Sequence, residues 1–267
     1  MTNYAIGAVN GDFQALTKLL GHIDFDCERD RLWFGGNLVN GGRDSLAVLR
    51  FAKQLGSHAV VVLGYQELRL LAIAEGLAQR QTNDTFTDIL GAEDRDGLLK
   101  WLCQRPLLHH ETGFTLVHAG IPAEWSLSQA RTFAIEAESS LSVGSRKAFF
   151  ENIVGATPSR WHAKLRGWKR LRFIVNAFTR LSYCDSDGRF DFTVENATDD
   201  PGENHRLWCQ EAGRAMSAQK IICANTLGAV IDDVPGIFPL QRGGADNLAI
   251  CALRLSDDPE IIRVLRN

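Results

Sequence analysis

In the first third of the chain, apolar and polar positions alternate between short β-rich runs and helical spacing. This pattern predicts β-α-β units around a buried sheet. Tyr4 to Val9 reads as the first strand. Gly11-Asp12 supplies a turn and a cap, after which Phe13, Leu16, Leu19 and Leu20 recur on one helical face. Leu32-Trp33-Phe34 reads as a second strand, followed by a helix carrying Leu46, Leu49 and Phe51. Ala59 to Leu63 is a continuous apolar run, as expected of a central strand buried on both faces. From Leu68 to about Cys184 the spacing is mainly helical, interrupted by one strand, Phe114 to Val117. Short strands then return at Phe190 to Val194, Lys220 to Ala224, Ala229 to Ile231, Leu248 to Leu253 and Ile261 to Leu265, and the polar stretch Asn196 to Asn204 reads as an exposed loop. The fold class is α/β.

Composition adds few constraints. The 267 residues are 45% hydrophobic and 23% charged, enough to bury a core without staples and with no low-complexity tract. A net charge of -3 gives no general attraction to nucleic acid or anionic membrane, so neither is an expected partner. No stretch reaches the roughly 18 apolar residues of a membrane helix, and residues 1–9 carry no export signal. Cys27, Cys103, Cys184, Cys209, Cys223 and Cys251 are dispersed singly, as reduced thiols packed as small hydrophobes would be. The expected location is the cytoplasm.

In an α/β protein ligands gather at the carboxyl ends of the strands, so the residues just after each strand carry most of the information. Here they are Gly7-Ala8-Val9-Asn10-Gly11, Gly36-Asn37-Leu38-Val39, Gly64-Tyr65-Gln66-Glu67, His118-Ala119-Gly120 and Ala224-Asn225-Thr226. The bland reading of such glycine-punctuated turns is that they join strands to helices.

The series resembles the calcineurin-like metallophosphoesterases, and most closely the bacterial symmetrical diadenosine tetraphosphate hydrolases. Their pattern runs GDxHG, GDLV with a following RG, GNH[ED], HAG and GHW. The segments DRLWFGGNLV, SLAVLRFAKQLG, VVLGYQELRLLA, LLKWLCQRPLL, TLVHAGI and LRGWKRLRFIVNAFTR extend the likeness over nearly the whole chain. It implies a single domain over 1–267, an α/β/β/α metallophosphoesterase-like sandwich with a mainly helical insertion over roughly 68–184.

In that family two divalent ions about 3.5–4 Å apart clamp the phosphate and generate the attacking hydroxide. The resemblance places Ala8 and Asn10 where the first aspartate and histidine would stand, and Asn37 at the bridging aspartate. Gly41 takes the place of an arginine, Tyr65 of a metal-binding asparagine, Gln66 of the general-acid histidine and Asn225 of a metal-binding histidine. Of six metal positions only His118 keeps its family type. Neutral amides do not balance four positive charges, and an amide does not ionise to act as a general acid. The expectation is a catalytically inactive relative, a pseudoenzyme without a metal cofactor and with no catalytic residues. It would bind a nucleotide or phosphate anion, or a protein partner. The alternative is a weak or altered phosphoesterase acting on dinucleoside polyphosphates, with one metal at His118 helped by Asn37 and Asn225.

Arg172, Asn176 and Arg180 share one helical face at i, i+4 and i+8, and guanidinium groups there suit a polyphosphate. The competing reading is a solvated basic face with internal salt bridges. Glu67 reads as a carboxylate at a helix start, Trp33, Trp101, Trp161 and Trp168 as packing residues, and His109-His110 as no zinc grouping.

Overall fold

Strand β1 (Asn3–Ile6) pairs in parallel with β2 (Arg31–Phe34), and β2 with β3 (Ala59–Val61). On the other side of β1 lie β11 (Ala249–Leu255) and β12 (Glu260–Leu265), each antiparallel to its neighbour, giving the order β12-β11-β1-β2-β3. The period-2 alternation of strands explains the two faces. Ala5, Trp33, Val62 and Leu253 point inward to meet Phe114, Leu116 and Ile222 of a second sheet. Ile6, Leu32 and Phe34 point outward to Leu16 and Leu19 of α1 (Phe13–His22) and Val48 and Leu49 of α2 (Ser45–Gln54). The second sheet has the order β10-β9-β5-β4, with β4 (Leu108–Glu111), β5 (Phe114–Val117), β9 (Lys220–Cys223) and β10 (Ile237–Pro239). This is the α/β/β/α sandwich. The computed structural model describes residues 1–142, 145–192, 204–224, 234–241 and 249–266.

Several sequence expectations need correction. The first strand stops at Ile6 instead of Val9, because the chain turns at Asn10, whose φ is 53°. The run Ala59 to Leu63 is an edge strand of its sheet and not a central one. It is apolar because Val61, Val62 and Leu63 are buried and their carboxyl end is tied inward, Val62 N–H to Phe34 O and Leu63 N–H to Pro106 O. Between Leu68 and β6 (Tyr183–Cys184) the described residues hold two strands, since β4 and β5 form a hairpin across Thr112-Gly113, both at positive φ. The expected strand Ala229 to Ile231 lies outside the described residues, as do Val194 and Leu248.

The helices of that stretch therefore fall in two groups on either side of the hairpin. The first is α3 (Tyr65–Ala74), α4 (Thr87–Leu90) and α5 (Arg95–Cys103). The second is α6 (Leu127–Ser142), α7 (Arg146–Ile153) and α8 (Gly167–Arg180), packed on one another. Trp125, Phe133, Trp161, Phe173 and Phe178 form an aromatic cluster in the second group, with edge and tilted contacts at 4.8–6.1 Å. A small sheet of β7 (Phe190–Asp191), β6 (Tyr183–Cys184) and β8 (Arg206–Leu207) lies beside it. Cys27 is exposed, and the other five cysteines are buried. Among the described residues no helix is long and apolar enough to cross a membrane.

Candidate functional site

The loops that leave β1, β2, β3 and β5 converge at one end of the sandwich. A Cβ on Gly36, at φ 84°, would come within 2.8 Å of both Gly64 and the His118 ring. One on Gly64 would stand 2.7 Å from Asn37 Oδ1 and 2.8 Å from His118 Cε1. Only glycine fits this triple approach, which is why the second, third and fourth motifs touch. Asn10 and Asn37 hold the left-handed backbone that asparagine tolerates, with φ of 53° and 50°. The Asn10 N–H donates to Asn37 O at 2.8 Å, joining the first motif to the second. Thus Asn10, Asn37, Tyr65, Gln66 and His118 come together with the buried Ala8 close by, while Asn225 lies outside the described residues.

The polar atoms at this junction are engaged with the protein itself. Asn37 Oδ1 accepts the Gln66 N–H at 3.1 Å. His118 is fully buried and its Nδ1 lies 2.7 Å from Gly35 O; a carbonyl can only accept, so Nδ1 carries the proton. Burial lowers the His118 pKa to about 4, against the pull of that carbonyl, so the ring is neutral near pH 7. Glu67, also fully buried, accepts from Asn37 N–H at 2.8 Å, Leu38 N–H at 2.7 Å, Val39 N–H at 3.4 Å and Gly64 N–H at 2.9 Å. It sits at the start of α3, as the sequence indicates, and it also holds the loop after β2.

A second network runs outward from Gln66. Its Oε1 accepts from Asn40 Nδ2 at 2.9 Å, and the same nitrogen donates to Asp84 Oδ1 at 3.0 Å. Arg69 grips Asp84 with two bonds of 2.8 and 2.9 Å. Burial would raise the Asp84 pKa, but Arg69, the Gln81 N–H and the Asn40 amide together hold it below the usual carboxylate range. Sequence reasoning missed Asn40, Arg69 and Asp84. Only the Asn40-Gly41 turn signal hints at one of them.

Arg266 was also missed. Its guanidinium reaches back from the end of β12 to donate to Ala8 O at 2.6 Å and Val9 O at 2.8 Å, with Asp12 Oδ2 at 3.3 Å. An arginine just past β12 therefore ties down the first motif. Arg266→Leu is expected to cost about 1–3 kcal/mol, the range for bonds to a charged donor, seen as a lower urea midpoint.

The described donor set does not fit a pair of divalent ions. Ala8 offers a methyl group, the oxygen of Asn37 and Nδ1 of His118 are turned to backbone, and both oxygens of Glu67 face N–H donors. Among the described residues no three His, Cys, Asp or Glu side chains gather where they could hold a metal.

The basic face of α8 is turned inward to neighbouring loops. Arg172 donates to Asn152 O at 2.6 and 2.8 Å and to Thr157 O at 2.9 Å. Asn176 donates to Gly155 O at 2.9 Å, and Arg180 donates to Phe192 O. Arg180 also lies over the Tyr65 ring, 5.4 Å from its centroid. These two residues border a cleft of about 190 Å³ between α3, α7 and α8.

Sequence comparison bears on the identity of this arrangement. A symmetrical bis(5'-nucleosyl)-tetraphosphatase from Aromatoleum aromaticum is 40% identical over 258 residues, covering 96% of this chain and 94% of its own. The chain belongs to the symmetrical bis(5'-nucleosyl)-tetraphosphatase family. A second relative of that name, from Methylococcus capsulatus, is 48% identical over 197 residues, covering 74% of this chain and 71% of its own. No protein-family model matches the chain. Among solved structures, a candidate diadenosine tetraphosphatase superposes with a TM-score of 0.65 at 15% identity, covering 100% of this chain and 94% of that one. A protein serine/threonine phosphatase from Saccharomyces cerevisiae gives 0.57 at 11% identity, covering 100% and 80%. At such identities these two speak for the fold alone, which is the metallophosphoesterase sandwich.

Proposed function

We propose that this member of the tetraphosphatase family does not run two-metal hydrolysis and instead binds a nucleotide through its phosphates, without a metal cofactor. The observation that carries this reading is the donor set at the strand ends. Where a two-metal centre needs anionic oxygens and imidazoles, Ala8, Asn10, Asn37 and Tyr65 are uncharged, and the buried carboxylate beside them, Glu67, accepts four backbone N–H bonds. Gln66 accepts from Asn40 and does not protonate a leaving group in the working pH range. The Arg180 guanidinium borders the cleft beside these loops, which supports recognition of an anion, while Arg69 on the same wall is paired with Asp84.

The test pairs metal analysis with turnover of diadenosine tetraphosphate. Purified protein is expected to carry no stoichiometric manganese, and turnover should lie at least ~10²-fold below that of the Aromatoleum aromaticum relative. Diadenosine tetraphosphate should still raise the melting temperature with chelator present. Two bound ions per chain, or manganese-dependent turnover lost in His118→Ala, would overturn the reading. The second reading, an altered hydrolase of dinucleoside polyphosphates, is favoured by the name its relatives carry at up to 48% identity. That manganese-dependent result is what it requires.

A further inference from the structure

The segment that leads into α8 is basic and carries no acid: residues 152–184 contain neither Asp nor Glu. Two of its side chains anchor it to the second helical group. The Trp161 ring lies 4.9 Å from Trp125, 4.9 Å from Phe133 and 5.3 Å from Phe173, and Leu165 packs against the same core. The Phe190 N–H on Ser159 O at 2.7 Å and the Leu165 N–H on His162 O at 2.9 Å fix the path of the backbone. The side chains around these anchors are left outside, so Lys164, Arg166, Trp168 and Lys169 are all exposed.

The charge of these residues is not neutralised by the protein. Arg170 pairs with Glu136 at 2.8 Å and Arg172 is taken up by loop carbonyls, but Lys164, Arg166 and Lys169 meet no carboxylate among the described residues. Arg166 donates to Ala163 O at 2.7 Å and Leu165 O at 2.9 Å, which orients its guanidinium and leaves its charge uncompensated. Arg160 instead borders a separate cleft with Glu124, Asp187 and Glu211. The charges do not serve the helix either, since a helix start favours acids and Lys169 stands in the first turn of α8. The net charge of -3 governs general attraction and is silent on a local patch.

Trp168, 38% exposed, lies in the same stretch of chain as these cations. An exposed indole beside three unneutralised cations offers a π-face to a base and positive charge to backbone phosphates. A bilayer is a poorer match, because Trp161, Leu165 and Leu171 pack on the core and leave a single ring to immerse. We infer that the surface of Lys164, Arg166, Trp168 and Lys169 binds single-stranded nucleic acid, with one base stacked on Trp168 and the adjoining phosphates held by the three cations. Sequence preference is weak, since every base presents a π-face.

The test is fluorescence anisotropy of a labelled oligouridine of about 12 nucleotides titrated with the full chain at several salt concentrations. Log affinity against log salt is expected to fall with a slope of about −2, since each of three phosphates contributes about −0.7 on a single strand. The double variant Lys164→Gln, Lys169→Gln should bring the slope to about −0.7. Trp168→Ala should weaken binding about tenfold with the slope unchanged, and Lys18→Gln on α1 should change neither. All these side chains are exposed, and circular dichroism checks that the fold is kept. If the double variant keeps the slope, or Trp168→Ala keeps the affinity, the inference is overturned. Equal affinity for the duplex with oligoadenosine would overturn base stacking. No binding at about 50 mM salt, or binding only to vesicles of phosphatidylcholine and phosphatidylserine, would overturn nucleic acid as the partner.

Discussion

Glu67→Gln is expected to lower the unfolding free energy by about 2–4 kcal/mol, read as a lower urea midpoint with an unchanged m-value. The carboxylate accepts four backbone N–H groups, from residues 37, 38, 39 and 64. An amide of the same shape keeps one acceptor oxygen and turns its NH₂ toward the remaining donors, leaving buried N–H groups unsatisfied. Burial pushes the Glu67 pKa upward, and the N–H donors of Asn37, Gly64 and Leu38 oppose it. All four contacts are donors, so none stabilises a carboxyl proton. A loss smaller than about 1 kcal/mol would mean that the acid is already neutral in the native state, since a protonated carboxyl and an amide offer similar acceptor capacity.

This carboxylate also explains how the loops keep their form with a donor set unsuited to metals. Backbone N–H groups crowded at a strand end and a helix start form a nest that attracts negative charge. Glu67 supplies that charge from within the chain, Arg266 caps the carbonyls of Ala8 and Val9, and His118 is pinned to Gly35 O. The family fold is thus held at this end by internal hydrogen bonds.

How far the sequence reveals these features depends on their range. The parallel strands β1 to β3 and their helices are legible because each has a clean local period of 2 or 3.6. The hairpin strand β4 is not, because His109, His110 and Glu111 are successive half-buried polar residues with no period, and only Thr112-Gly113 marks the turn. The edge position of β3 is equally hidden, because local apolarity reports burial and not strand order. Within the site, the convergence of Asn37, Gln66 and His118 follows from the motif series. Arg266 and Asp84 do not, because their partners lie 258 and 44 residues away in the chain, where no spacing rule operates. Arg172, Asn176 and Arg180 lie at i, i+4 and i+8 of α8, yet helical phase alone does not tell that the end of α7 and the segment after it, residues 152–157, take up the donors of Arg172 and Asn176.

The pH dependence of stability should carry the mark of His118. Its ordinary pKa is 6.5, and burial lowers the folded value to about 4. In that window the unfolded chain binds more protons than the folded one, so stability is fully present above pH 6.5 and falls as the pH drops toward 4. The shift corresponds to a loss of about 3 kcal/mol. Glu67 acts with the opposite sign, since a carboxyl whose folded pKa is raised takes its proton first in the native state and adds stability as pH falls. The wild-type slope is therefore a net quantity, and the difference between wild type and His118→Gln isolates the histidine. A direct reading comes from the carbon-bound ring protons of His118 by NMR. They are expected to show no titration between pH 7.5 and about 5. A midpoint near 6.5 would show that the imidazolium is tolerated at the strand end, and the buried, neutral ring would have to be abandoned.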